Sequence, residues 1–192
     1  MTNIMTISLL LVFFICSGCA TKINRDNSAT TKIDRDNPAE TKIDWNNPAE
    51  SENRVYIKND TFKKQTTFYS PNICSIYKWK LLIRAWKRYD STCMTFQIYI
   101  KEIHQGDWHL YSQAYDSNGN SLNIISIKGD VDFNTHELEE HYGLNVNRKY
   151  LEDSVTTGIE IRLYGDSNRN IFIPGGYIKG FLSKIDLYNK QK

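Results

Sequence analysis

The chain has 192 residues, 24% of them charged and 40% hydrophobic, and its formal net charge at pH 7 is +2. This near-neutral balance gives no general electrostatic reason to expect nucleic-acid binding. The 12 Tyr, 8 Phe and 4 Trp favour strands over helices.

The first twenty residues carry an apolar run that is too short to cross a bilayer. Residues 7–15 read ISLLLVFFI, about half of the twenty residues that a transmembrane helix needs. A short apolar core followed by small residues is typical of a secretory signal peptide, here residues 1–18.

The cysteine at the end of this segment indicates a lipid anchor. Ser17 and Gly18 directly precede Cys19, and this arrangement resembles the lipobox of bacterial lipoproteins. The resemblance implies cleavage before Cys19 and acylation of its sulfur with a diacylglycerol, and an anchor of two or three acyl chains is almost permanent. Two features depart from the family pattern: Cys16 replaces the usual leucine, and no Lys or Arg precedes the apolar core.

The same resemblance implies where in the cell the protein is located. In Gram-negative lipoproteins, a residue other than Asp after the lipidated cysteine, here Ala20, implies delivery to the outer membrane. We expect the periplasmic face rather than the cell surface. The alternative is an ordinary cleaved signal with an unrelated cysteine.

Residues 21–50 repeat a decapeptide three times, as TKINRDNSAT, TKIDRDNPAE and TKIDWNNPAE. Each unit offers one Ile and little else to bury, so a solenoid is excluded and a lipid-anchored disordered linker is predicted over residues 19–53. The repeat is either a spacer or a docking motif anchored by Trp45.

Alternating apolar and polar residues predict that residues 54–192 form one strand-rich domain. A short helix is expected over 147–155, behind an Asn147 cap. A C-terminal helix from Gly176 is the alternative to a last strand, at a cost of about 1 kcal/mol for Gly180. The pattern predicts an antiparallel β-sandwich, immunoglobulin-like or similar, with one or two short helices. The predicted strand regions are 75–89, 93–104, a hairpin over 107–130 centred on Asn118-Gly119, 158–165, and two strands around Pro174 within 171–182.

Cleavage of the predicted signal removes Cys16 and acylation occupies Cys19, so Cys74 and Cys93 remain. Two cysteines in an exported protein are candidates for a disulfide. If 75–89 is one extended strand, its ends lie about 45 Å apart, whereas a disulfide needs α-carbons within about 7 Å. The bond therefore requires a break in this strand, and the pairing is left open.

The segment HELEEH over residues 136–141 resembles a metal motif but has the wrong spacing. Five positions separate His136 from His141, which places them on different faces of a helix or a strand. We therefore expect no metal site here, while a loop-built site that includes His104 or His109 stays open. No motif for nucleophilic catalysis or phosphate binding is present, so neither a catalytic residue nor a cofactor is predicted.

A basic stripe is predicted on the first long strand. If residues 75–89 are extended, four cations share a face with an aromatic ring, a surface suited to anionic lipid headgroups, a cell-wall polymer or an acidic protein. The alternative is a solvated sheet face. The stripe consists of Lys78, Lys80, Arg84, Trp86 and Arg88.

The sequence favours a non-catalytic, lipid-anchored envelope protein, a binding or structural module at the outer membrane. The expected partners are the membrane, through the anchor, and an envelope protein or cell-wall polymer, and the oligomeric state is left open. Two alternatives remain: an accessory lipoprotein of a secretion or surface assembly, and an envelope hydrolase with a histidine site. For the hydrolase the candidates are His104, His109, His136 and His141.

Overall fold

A computed structural model describes residues 43–74 and 78–191. The predicted signal peptide, Cys19 and the first two repeats lie outside this part of the chain. The strands are β1 (Tyr56–Asp60), β2 (Gln65–Tyr69), β3 (Trp79–Arg88), β4 (Met94–His104), β5 (Gln113–Asp116), β6 (Ser121–Asp132), β7 (Glu137–Val146), β8 (Ile159–Tyr164) and β9 (Asn168–Ile173). The helices are α1 (Pro48–Asn53), α2 (Arg148–Asp153) and α3 (Gly175–Lys190).

The predicted fold class is confirmed: the structure is mainly β, and all strand pairs are antiparallel. The strand order is β1-β2-β3-β4-β7-β6-β5-β8-β9, and the sheet curls into a half-barrel. Within the described residues, no helix has both the length and the apolar character required to cross a membrane.

Strands β3 and β4 illustrate how the alternating pattern builds the core. Their register pairs Leu81 with Ile100, Ile83 with Ile98 and Ala85 with Phe96. All six side chains are buried, because side chains two positions apart point to the same side of a strand. We call this side the core face and the opposite side the outer face.

The chain end is a helix, so the prediction of two strands within 171–182 is wrong for its second half. Strand β9 ends at Ile173 and α3 begins at Gly175. Buried apolar residues recur along α3 with helical spacing and form one side of the core. They are Tyr177, Ile178, Phe181, Leu182 and Ile185.

Residues 43–50 of the third repeat belong to the folded domain, which contradicts the predicted linker boundary at residue 53. Trp45 packs edge-on against Tyr177 with ring centroids 5.6 Å apart, and the Asn47 side chain caps α1 by accepting the Ala49 N–H at 3.1 Å. The compact unit begins at Thr41, so the domain starts within the third repeat rather than at residue 54.

Cys74 and Cys93 are both free thiols, so the disulfide left open by the sequence is not formed. Cys74 precedes β3 and Cys93 follows it. A strand of ten residues separates its ends by about 30 Å, which keeps the two sulfurs apart.

Candidate functional site

The predicted basic stripe lies on the outer face of the sheet. Lys80, Arg84, Trp86 and Arg88 occupy alternate positions of β3, and Lys78 directly precedes the strand. Their partially or fully exposed side chains alternate with the buried Leu81, Ile83 and Ala85.

Ion pairs neutralise both ends of this stripe. Lys78 Nζ lies 2.7 Å from Glu137 Oε1, and Arg88 Nε lies 3.1 Å from Asp90 Oδ1. Among the residues that the structure describes, Lys80 and Arg84 have no carboxylate within ion-pair distance. The outer face therefore offers its positive charge in the middle of β3 rather than along its whole length.

Aromatic rings and a hydrogen bond hold Arg84 in a defined orientation on this surface. Its guanidinium carbon lies 4.7 Å from the ring centroid of Tyr99 and 5.7 Å from that of Trp86, within the range of cation–π attraction. Its Nε donates to Gln97 Oε1 at 2.8 Å, and the Gln97 amide donates to Asn145 Oδ1 at 2.8 Å. Burial lowers the pKa of Arg84, but a guanidinium keeps its proton in proteins.

Strand register extends Arg84 into a row of aromatic and polar side chains. Tyr56 pairs with Tyr69, and Tyr69 pairs with Arg84. The two tyrosine rings stack at 6.1 Å. We call the complete set the outer-face row: Tyr56, Tyr69, Arg84, Gln97, Asn145 and Asn123, from β1, β2, β3, β4, β7 and β6.

A second group of polar side chains lies on the core face. Glu102 of β4 and Glu140 of β7 are direct partners across the sheet, and only 1% and 2% of their surfaces are exposed. His104 ends β4, and His109 follows in the connection to β5. We call these four residues the His–Glu cluster.

Hydrogen bonds join each histidine to a glutamate. His104 Nε2 lies 2.8 Å from Glu140 Oε2, and His109 Nδ1 lies 2.7 Å from Glu102 Oε2. Arg169 of β9 adds an ion pair, with its Nε 3.0 Å from Glu102 Oε1. The two buried carboxylates therefore share three basic partners.

Glu140 is held ionised by its donors. Burial raises the pKa of its carboxyl group, but hydrogen bonds outweigh burial and hold the pKa below its ordinary value. The donors are the Tyr142 hydroxyl, the backbone N–H groups of His109 and Leu110, and the His104 ring.

The two imidazoles of the cluster stack face to face. Their centroids are 3.8 Å apart and their planes differ by 5°. His104 Nδ1 is buried and makes no hydrogen bond in the described structure, so a single hydrogen bond to Glu140 fixes this ring.

The structure separates the four candidate histidines. His104 and His109 meet in the His–Glu cluster, whereas His136 lies in the turn before β7 with φ of 55°. His141 points to the outer face, where its Nδ1 lies 2.6 Å from the Tyr99 hydroxyl. Of the HELEEH segment, only Glu140 belongs to the cluster.

Sequence reasoning missed Glu102 and Glu140, although the alternating pattern contains a signal for each. Glu102 continues the core-facing phase of Ile98 and Ile100, and Glu140 occupies the phase of Tyr142 and its buried neighbours. A charged residue in a buried phase requires a partner, and such a position marks a candidate site.

Comparison with known proteins does not assign either group of residues. No protein-family model, curated protein or solved structure matches this chain.

Proposed function

We propose that this is a non-catalytic, lipid-anchored protein of the cell envelope, whose outer-face row binds an acidic glycan of the cell wall. The observation that carries the proposal is Arg84, which is positioned by two aromatic rings and by Gln97 but has no carboxylate partner among the described residues. An arginine that is oriented in this way is ready to bind an anion.

The chemistry of Arg84 favours a carboxylate or a phosphate group as ligand. Its Nε and one Nη donate to Gln97 Oε1, so the remaining N–H groups are left for a ligand. A planar guanidinium binds such anions through two parallel hydrogen bonds. Lys80 and Lys58 lie on the same face and add attraction at longer range.

The surroundings of Arg84 favour a sugar polymer over a lipid surface. Tyr56 is 62% exposed and stacks on Tyr69, and such rings provide flat surfaces for the apolar faces of sugars. Side-chain amides in the row, those of Asn123 and Asn145, can bind hydroxyl groups. Anionic headgroups would match the charge but would leave the rings and amides without a role.

The proposed anchor is compatible with this ligand. Residues 20–44 separate Cys19 from Trp45, and a segment of about 25 residues reaches at most about 90 Å when extended. The proposed location is the periplasmic face of the outer membrane, with the lipid on Cys19 as the membrane contact. The domain could then bind the wall polymer while the lipid on Cys19 stays in the membrane.

Binding of the full chain to purified peptidoglycan, a glycan rich in carboxylates, tests the proposal. We expect Arg84→Gln to weaken binding by about 10- to 100-fold, the value of one or two charge-assisted hydrogen bonds. Arg84→Lys should also weaken binding, because an ammonium lacks the planar pair of donors. Binding should fall with added salt.

Arg162→Gln is the matched control, because it removes an exposed arginine from β8 outside the outer-face row. Circular dichroism checks that every variant folds. If the folded Arg84→Gln variant bound peptidoglycan as tightly as the wild type, the proposal would be rejected. Binding that does not weaken with added salt would also reject it.

A further inference from the structure

We infer that the His–Glu cluster binds one zinc ion. This inference is independent of the outer-face row, which lies on the opposite side of the sheet. It assigns a role to Glu102, His104, His109 and Glu140 that glycan binding does not use.

The donor atoms of the cluster suit a metal ion. Two imidazole nitrogens and two carboxylate oxygens all lie within 4.8 Å of one another. Zinc binds such donors at about 2.0–2.2 Å in a tetrahedron, which places them about 3.4 Å apart. Three of the six donor separations are 2.7, 2.8 and 3.9 Å, which fall on both sides of this value. Shifts of less than about 1 Å between these pairs would meet it.

The two buried carboxylates also favour a cation electrostatically. Glu102 and Glu140 face each other across β4 and β7 in almost complete burial, where like charges destabilise a sheet. Arg169 is the permanent cation paired with Glu102. The two carboxylates carry a formal charge of −2 and Arg169 offsets one unit of it, so the cluster with neutral imidazoles stays net negative and attracts a cation. Nitrogen and oxygen donors together favour zinc over calcium or magnesium, which prefer oxygen alone.

Zinc binding requires one ring to turn. An imidazole binds metal through a lone pair in its ring plane, and two stacked rings do not direct both lone pairs at one ion. His104 is the less constrained of the two rings, because its Nδ1 has no hydrogen bond and its Nε2 has one. His109 Nδ1, in contrast, lies within hydrogen-bond distance of both Glu102 and Tyr111. We expect zinc to replace that hydrogen bond and to separate His104 from His109.

The burial of the cluster indicates a structural rather than a catalytic ion. Four protein donors complete the coordination of zinc and leave no position for substrate. The donors come from β4, from the connection after it and from β7. The ion would therefore fix the connection that carries His109 to the sheet, and zinc should raise the melting temperature.

Zinc titration of the full chain tests this inference. A variant of the full chain with all four cysteines, Cys16, Cys19, Cys74 and Cys93, replaced by serine serves as background, because free thiols also bind zinc. After treatment with a chelator, we expect one zinc per chain with a Kd below about 10 µM. At a zinc concentration 100-fold above Kd, the melting temperature should rise by about 5–10 °C.

Variants of the donors locate the ion. We expect His104→Ala and His109→Ala to weaken zinc binding at least 10-fold. His136→Asn should leave it unchanged, because His136 lies outside the cluster and asparagine tolerates its positive φ. X-ray absorption of the wild-type protein should show nitrogen and oxygen neighbours at about 2.0–2.1 Å and no sulfur.

Three results would overturn the inference. They are zinc binding weaker than about 10 µM in a folded background protein, undiminished binding by the His104→Ala/His109→Ala double variant, and a sulfur neighbour at the metal. The X-ray measurement uses the unaltered chain, so misfolding of a variant would not obscure it. Arg84→Gln should retain the zinc, which separates this test from the test of glycan binding.

Discussion

Glu139 shows how single charges on the outer face contribute to stability. Its carboxylate hydrogen-bonds to Lys101 and His141, and these interactions lower its pKa from 4.5 to about 2. A carboxyl group whose pKa is lower in the folded state than in the unfolded state stabilises the fold at pH values above its unfolded-state pKa. This contribution is lost as the pH falls from about 4.5 towards 2.

We expect Glu139→Gln to remove part of this acid sensitivity. The wild-type free energy of unfolding should fall by on the order of 2 kcal/mol more than that of the variant between pH 6 and pH 2. Urea unfolding at several pH values measures the difference. Glu160→Gln, a change at an exposed site on β8, is the control. Equal acid sensitivity in wild type and Glu139→Gln would contradict the prediction.

Single residues also show which contacts the sequence alone does not predict. The core-facing phase of Glu102 is visible in the alternation of Phe96, Ile98 and Ile100. Its partner Glu140 depends on the register between β4 and β7, which no local pattern determines. For the same reason, His104 and His109 could be named as candidates from residue type alone, but their stacking could not.

At the scale of elements, the sequence favours a last strand over the alternative helix because Gly180 lowers helix propensity. An added Cβ at Gly180 would lie 2.2 Å from the carbonyl oxygen of Pro48, and one at Gly176 would lie 2.1 Å from that of Asn46. These glycines are one helical turn apart and let the segment before α1 and its first residue approach α3 closely. The sequence of α3 alone does not indicate that glycine is required at these positions, because the residues that approach it, Asn46 and Pro48, lie at the other end of the domain.

Gly180→Ala tests this explanation against helix propensity. Propensity alone predicts a gain of about 1 kcal/mol. Because the new methyl group would overlap backbone atoms, we expect a net loss of about 1–3 kcal/mol. Lys179→Ala, at the exposed neighbouring position, is the control. A stabilised Gly180→Ala protein in chemical denaturation would show that the close approach is not required.

The third repeat differs from the first two at the residue that packs against the domain. Trp45 contacts Tyr177, whereas the other repeats have Arg25 and Arg35 at this position. We expect Trp45→Arg to lower the free energy of unfolding by about 1–2 kcal/mol, because it removes a partly buried indole that packs against the core.

Asn46→Asp is the matched control for Trp45→Arg. It restores the aspartate of the other repeats at an exposed position, and it should change stability by less than about 0.5 kcal/mol. If Trp45→Arg were equally neutral, the third repeat would not be part of the folded unit in solution. Thermal unfolding of both variants gives the comparison.

At the scale of the whole molecule, folding and anchoring should be separable. The core residues of the described structure all lie at or after Trp45, so we expect deletion of residues 21–40 to leave the free energy of unfolding unchanged within about 0.5 kcal/mol. Deletion of residues 21–50 should destabilise the domain, because it also removes Trp45 and the start of α1. Urea unfolding distinguishes these outcomes, and equal stability of the two deletions would contradict the boundary at Thr41.

The proposed anchor makes a different demand on the chain. If Cys19 carries acyl chains, wild-type protein should sediment with membranes and incorporate labelled palmitate, whereas Cys19→Ser should do neither. Cys93→Ser is the matched control, because it removes an exposed thiol from the domain without changing the proposed anchor.

The variant that lacks residues 21–40 should stay anchored but lose roughly 20 residues of reach, about 70 Å when extended. Peptidoglycan capture in cells should then fall, although the purified deletion variant binds peptidoglycan with unchanged affinity. Membrane association of Cys19→Ser would contradict the anchor, and unchanged capture in cells would show that the first two repeats do not set the distance.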